Sequence, residues 1–305
     1  MFKDILRNRK FDKIVYQHEN KSNKLRLYSF EMIPEYLQSN PYIRTGYRYG
    51  LNFIGCLFSL FYLNNESINV WSHLIGAGVF LYFFFRDIYI GNALPFLKST
   101  SDYYFFLLYT FSVVICMFGS VLFHLFGCMS SRIFADFLKL DLCGIGISIL
   151  GCYLYGLHIT FECYHDWRIR YETIIICITF IAVIYYVHAV KQYITRNIHI
   201  SLFVIISLLG FLPGLHWYCL HGGWSNRFVQ HFFPKLFVLY GILGIGTIVY
   251  LTKFPERFFP GYFDFIFASH QIWHISSLCA FIWWYVNGIE LLQYRRRNPC
   301  HTLHK

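Results

Sequence analysis

Ser120 and His124 stand four residues apart in SVLFH, and His270 and His274 stand four apart in SHQIWH. Residues at i and i+4 lie one above the other on a single helix face. A carboxylate, Asp141, sits in LKLDLCG between them in the chain. Three imidazoles can hold Zn2+ at about 2.0–2.1 Å while a fourth position stays open to water or substrate, which is the pattern of a catalytic zinc rather than a closed structural one. A nearby carboxylate can orient or deprotonate that water, whose pKa zinc lowers toward about 7. The spacing therefore predicts His124, His270 and His274 as zinc ligands. Asp141 is the group acting on the water, and Ser120 holds that carboxylate or the water. A lone histidine in an apolar helix is more often a packing or hydrogen-bonding residue, so the reading rests on the set.

The elements that must position these residues are long and apolar. The chain has 305 residues, 56% of them hydrophobic and 14% charged, against about 25% charged in soluble chains. Seven stretches lack Lys, Arg, Asp and Glu: 68–85, 103–131, 142–161, 173–190, 200–226, 236–252 and 265–289. About 20 helical residues cover the roughly 30 Å of a hydrocarbon core. The sequence thus predicts an all-α polytopic membrane protein, a bundle of seven transmembrane helices. The spans fall near 67–85, 103–126, 140–160, 173–190, 198–220, 234–251 and 265–290. Span 2 ends on the side where spans 3 and 7 begin, so this topology puts His124, Asp141, His270 and His274 at one depth. Ionisable groups inside spans are costly and tend toward function.

Pro213 should kink span 5, and Pro255 with Pro260 exclude a continuous helix over 251–264. Residues 42–63 carry charge only at their front and read as a peripheral amphipathic helix in the interface. Three segments result: a basic N-terminal segment with interfacial helix at 1–63, the transmembrane domain at 64–292, and a short tail at 293–305. Ten basic residues precede position 50, including Lys3, Arg7, Arg9, Lys10 and Lys13. With an internal N-terminus, 16 of the 26 basic residues fall on the cytoplasmic side. That bias predicts a cytoplasmic N-terminus and a lumenal or extracellular tail, although the Arg triplet at 295–297 lies on the other side. The formal charge of +10 suits anionic lipid, so no nucleic-acid partner is expected. No cleavable signal peptide is expected, because the first 26 residues are polar and basic. The ten cysteines lie mostly in apolar runs and read as small buried side chains rather than a disulfide framework. His73 reads as an interhelical contact or a neighbour of the Asp141 network. His188 and His216 read as packing residues, and His158, His165, His221 and His231 belong to the opposite membrane side.

The blocks NESINVWSHLIG (65–76), SVLFHLFGC (120–128), LKLDLCGIG (138–146) and PERFFPGYFDFIFASHQIWH (255–274) resemble the progestin and adipoQ receptor family, which includes adiponectin receptors and bacterial hemolysin III-like proteins. The likeness runs from about Arg26 to Tyr294. It implies seven helices with a cytoplasmic N-terminus and Zn2+ held by His124, His270 and His274, with Asp141 near the bound water and Ser120 preceding the first ligand. Adiponectin receptors imply ceramidase-like lipid hydrolysis, with ceramide or another sphingolipid among the membrane-lipid partners. LYSFEMIPEYLQSNPYI (27–43), LGCYLYG (150–156) and LLQYRRRNPC (291–300) look most like a Golgi-resident member that retains Raf kinase. That likeness implies a Golgi-membrane scaffold damping growth-factor signalling, with a kinase bound through the N-terminal segment. A receptor for an extracellular protein or steroid, at the plasma membrane, is the third reading. Enzymatic activity is left open by the residues alone.

The charge bias sets a testable orientation. A tag placed before Met1 is expected to be cytoplasmic and one after Lys305 lumenal, read by antibody staining after selective permeabilisation. Both tags on one side would mean an even number of spans.

Overall fold

The computed structural model describes residues 26–90, 100–189 and 196–300. Its α-helices are α1 (Phe53–Phe58), α2 (Ser67–Ile90), α3 (Thr100–Phe126), α4 (Ser131–Thr160), α5 (His165–Ala189), α6 (Arg196–Leu209), α7 (Phe211–Leu220), α8 (Arg227–Thr252) and α9 (Ser269–Arg297). Four stretches are long and apolar enough to cross a membrane: Ser67–Tyr89, Ser101–Phe126, Arg227–Thr252 and Ser269–Arg297. The protein is an all-α polytopic membrane protein.

Several helices outrun the uncharged stretches that mark them in the sequence, because side chains cap or anchor their charged ends. The Ser130 hydroxyl accepts from the Ile133 amide at 3.3 Å, which starts α4 at Ser131 rather than near 140. Asn226 accepts from the Phe228 amide at 2.8 Å and starts α8 before Pro234. At the far end, α9 continues through the expected tail to Arg297. Arg295, buried, donates to the Thr160 carbonyl at 3.1 Å, and Arg296 donates to Asp102 and Glu162, each at 2.5 Å. The Arg triplet is the locked end of a helix, and Cys163–Cys300 bridges the same corner with Cα atoms 5.4 Å apart.

The expected kink at Pro213 lies three residues earlier. α6 stops at Leu209 and α7 starts at Phe211, with Gly210 between. Pro213 then occupies the first turn of α7, where its missing amide proton costs least.

The predicted interfacial helix over 42–63 is also revised. Only Phe53–Phe58 is α-helical, followed by one 3-10 turn at Ser59–Phe61. Gly46 has φ +86°, and a Cβ there would lie 2.9 Å from the Phe265 ring. Left-handed backbone at this position breaks any helix. Residues 28–52 fold instead into a cap, opened by paired hydrogen bonds between Tyr28 and Tyr47 at 2.8 and 3.1 Å. The Asp264 carboxylate accepts from the amides of Arg44 and Thr45, both at 2.8 Å, and from the Thr45 hydroxyl at 2.7 Å. The cap is thereby fastened to the loop before α9.

α3 and α4 make the closest crossing. A Cβ on Gly144 would sit 2.9 Å from the Cys116 Cα, and one on Gly119 would sit 3.2 Å from the Leu140 carbonyl oxygen. Small residues let backbones approach where lipid supplies no hydrophobic drive. Since His124 and Ser120 ride on α3 and Asp141 on α4, this crossing sets their separation. Gly144→Leu is expected to force the helices apart and cost about 1–3 kcal/mol from overpacking, seen as a lower thermal transition in detergent. An unchanged transition would mean that α3 and α4 can separate freely.

Candidate metal centre

The last turn of α3 and the first two turns of α9 meet at one depth. His124 comes from the first, His270 and His274 from the second. The Nε2 atoms of His124 and His270 lie 3.3 Å apart, and those of His270 and His274 lie 3.0 Å apart. One ligand atom from each of the three falls within 4.8 Å of the others. Four tetrahedral ligands at zinc-like distances would be about 3.3 Å from each other, so the convergence fits a single metal ion. His124 and His274 are buried. Among the described residues, the Nδ1 of His274 has no hydrogen-bond partner.

Two charged residues hold His124 from behind. The Glu66 carboxylate lies 2.8 Å from His124 Nδ1 and accepts from the Asn69 amide at 2.6 Å. Burial works against this carboxylate, but the His124 ring and the Asn69 amide outweigh it and hold its pKa down at about 2. A carboxylate on Nδ1 fixes the tautomer and turns Nε2 toward the metal. The buried Arg48 donates to the carbonyls of His124 at 2.6 Å and Leu125 at 3.2 Å. It satisfies carbonyls left open at the end of α3 and places a cation at the negative end of that helix.

α9 is anchored at its own start. Glu256 is fully buried and accepts from the Ser269 amide at 2.8 Å, from the Ser269 hydroxyl, and from the Asn40 side chain at 3.0 Å. An acid at a helix N-terminus satisfies open amides and complements the dipole. Ser269 thus fixes the helix that carries His270.

Ser120 lies one turn before His124 on α3, and Asp141 lies on α4. Both line one cavity with the three histidines. His73 lines it too, and stacks flat on His274 with ring centroids 3.8 Å apart, outside the group of three. It is therefore an interhelical contact. The remaining histidines pair elsewhere: His158 with Asp102 at 2.9 Å, His216 with Tyr171 at 3.0 Å, His231 with Glu290 at 2.6 Å and His165 with Arg168 at 3.1 Å. His188 faces its own helix, its Nδ1 2.9 Å from the Ile184 carbonyl.

Glu66, Asn69, Arg48 and Glu256 do not emerge from the sequence reading. One signal was present: Glu66, Asn69 and His73 follow at intervals of three and four, a single helical face of polar groups leading into an apolar run.

The cavity has a volume of about 1760 Å3, above the roughly 300–1,000 Å3 of sites for small molecules. It runs from Ser39 and Asn40 in the cap, past the histidines, to Trp217, Trp284 and Leu291. A long apolar molecule with one polar group near the histidines fits that shape.

The sequence profile described as haemolysin-III related matches residues 61–285. Progestin and adipoQ receptor family member 3 of Mus musculus is 38% identical over 282 residues, covering 90% of this chain and 89% of the relative. The Homo sapiens protein of the same name gives the same figures. The adiponectin receptor protein of Drosophila melanogaster is 29% identical over 274 residues, covering 87% of this chain and 60% of the relative.

Glu66→Gln keeps the shape and removes the charge behind His124. It is expected to weaken Zn2+ binding by about 10–100-fold, measured by chelator competition on purified protein. Equal affinity in the variant would remove Glu66 from the centre.

Proposed function

The chain belongs to the haemolysin-III related family, and from that premise we propose that it is a zinc-dependent intramembrane hydrolase of lipid amide bonds, acting on a ceramide-like substrate. The observation that carries the reading is the opening of three converging histidines, with Ser120 and Asp141, onto a cavity long enough for an acyl chain. Bound Zn2+ would polarise the amide carbonyl and acidify water beside it. His124, His270 and His274 would hold it, leaving a fourth position open. Asp141 takes the proton of the attacking water at its carboxylate and returns it to the leaving amine. Ser120, lining the same cavity from α3, orients that carboxylate. The apolar cavity wall binds the acyl chain and excludes bulk water from the amide. Ceramide as substrate comes from the resemblance to adiponectin receptors, and the name of the Drosophila melanogaster relative accords with it.

In this reading α4, α5 and the α6–α7 pair also cross the bilayer, giving seven spans with the metal centre at the cytoplasmic end. The Cys163–Cys300 bridge lies at the opposite end. Disulfides persist in oxidising compartments, which supports a lumenal or extracellular address for that end and a cytoplasmic N-terminus.

A second reading is a Golgi scaffold that retains a Raf-type kinase through its N-terminal segment. Its support is the ten basic residues before position 50 and the member-level resemblance in sequence. Residues 1–25 lie outside the described residues, so the lever of that reading has no geometry here.

Asp141→Asn separates the two. Loss of a positioned acid–base group typically costs about 10²–10⁴-fold in rate. Product release from labelled ceramide by the purified protein is therefore expected to fall by about two orders of magnitude or more, while metal analysis finds zinc retained. Kinase recruitment to membranes should be unaffected. Equal turnover in the variant, or no turnover by zinc-loaded wild type, would contradict the hydrolase reading.

A further inference from the structure

We propose that Cys128 and Cys56 form a dithiol oxidised by hydroperoxide, with Cys128 as the attacking thiol at the cavity wall and Cys56 as the resolving thiol behind it. Their sulfurs lie 3.6 Å apart. Disulfide formation, at an S–S distance of about 2.05 Å, needs an approach of only about 1.5 Å. Cys56 belongs to α1 and is fully buried; Cys128 follows α3 and is nearly so. Of the two, Cys128 lines the cavity that reaches the cap, so a molecule the size of hydrogen peroxide meets it first.

The surroundings favour an anionic sulfur at Cys128. The contact with Cys56, in which either sulfur can donate, lowers its pKa together with Arg48 against the effect of burial. Arg48 is held in place by the Ser59 hydroxyl at 2.6 Å as well as by the carbonyls of His124 and Leu125. Thiolate character beside a guanidinium, with a second thiol within reach, is the setting in which cysteines are oxidised selectively. By contrast, the exposed Cys177, Cys219 and Cys279 sit on helices flanked by apolar residues.

The chemistry closes without a further reactant. The Cys128 thiolate attacks one peroxide oxygen, forming an S–O bond and breaking the O–O bond, and the departing hydroxide takes a proton to leave as water. The Cys56 sulfur then attacks the Cys128 sulfenic acid. The S–S bond forms, the S–O bond breaks, and the hydroxide leaves as water with the Cys56 proton. Two thiols are oxidised by two electrons and one hydroperoxide is reduced. The product would fasten α1 covalently to the turn after the last turn of α3. That joint is already made by the Gly50 amide donating to the Cys128 carbonyl at 2.9 Å. The inference rests on this pair alone and holds whether or not the metal centre turns over lipid.

The test uses the full chain in detergent, reduced, desalted and given one equivalent of hydrogen peroxide. Alkylation and peptide mass spectrometry then follow, with dimedone to trap sulfenic acid. Wild type is expected to yield a peptide crosslinked between Cys56 and Cys128. Cys56→Ser is expected to stop at a dimedone adduct on Cys128. In Cys128→Ser, oxidation of Cys56 is expected to slow by about tenfold or more, because the attacking thiolate is gone. A wild-type digest without the crosslink, in which Cys177, Cys219 and Cys279 carry the oxidation, would overturn the proposal whatever the variants do. So would Cys56 oxidised at the wild-type rate in Cys128→Ser.

Discussion

Three imidazoles with His270 Nε2 lying 3.3 Å from that of His124 and 3.0 Å from that of His274 are not a self-sufficient arrangement inside an apolar bundle. Each neutral ring has one donor and one acceptor nitrogen, and a closed ring of lone pairs gains little without a cation among them. The arrangement is worth its conformational cost only if something draws the nitrogens together, and a divalent metal does so at the observed spacing. The rest of the molecule serves to hold two helix ends against each other. Arg48 and Glu66 hold the α3 end, and Glu256 with Asn40 holds the α9 start. Asp264 fastens the cap that carries Arg48 to the loop that carries Glu256. Four buried or half-buried charges, Arg48, Glu66, Glu256 and Asp264, thus brace the two helix ends through hydrogen bonds.

The two ends of the bundle solve different problems. At the metal end, charge is gathered around a cavity and its groups point inward. At the opposite end, charge closes the structure. Asp102 is fully buried and meets His158 and Arg296, while Arg295 holds the carbonyls at the end of α4. A buried acid between a guanidinium and an imidazole is strongly constrained, and removing one partner would leave an uncompensated charge. This end also carries the Cys163–Cys300 bridge, which anchors the end of the chain next to the α4–α5 turn.

The convergence of the three histidines could be read in the sequence because helix geometry turns spacing directly into position. Intervals of four put Ser120 with His124 and His270 with His274, and the alternation of spans brought both pairs and Asp141 to one depth. The cap resisted the same reasoning. Its fold depends on positive φ at Gly46 and on bonds such as Asp264 to Arg44, 220 residues apart in the chain, and neither leaves a periodic trace. The amphipathic look of 42–63 was real in composition, but backbone conformation overrode it. Glu66 hid for a related reason, since it sits in a corner before α2 rather than on the uncharged helix. The end of α9 reads as a short tail in the sequence because the partners of Arg296, Asp102 on α3 and Glu162 in the turn after α4, are distant in the chain. Pro213 marked the right neighbourhood, although the break itself falls at Gly210, which leaves Pro213 in the first turn of α7, where its missing donor is accommodated.

The central claim is that His124, His270 and His274 form one open metal site. Zinc K-edge X-ray absorption on the purified chain tests it most directly. Three imidazole nitrogens and one oxygen at about 2.0–2.1 Å are the predicted shell. A shell containing sulfur at about 2.3 Å, or a metal-free protein after growth in zinc-replete medium, would contradict it.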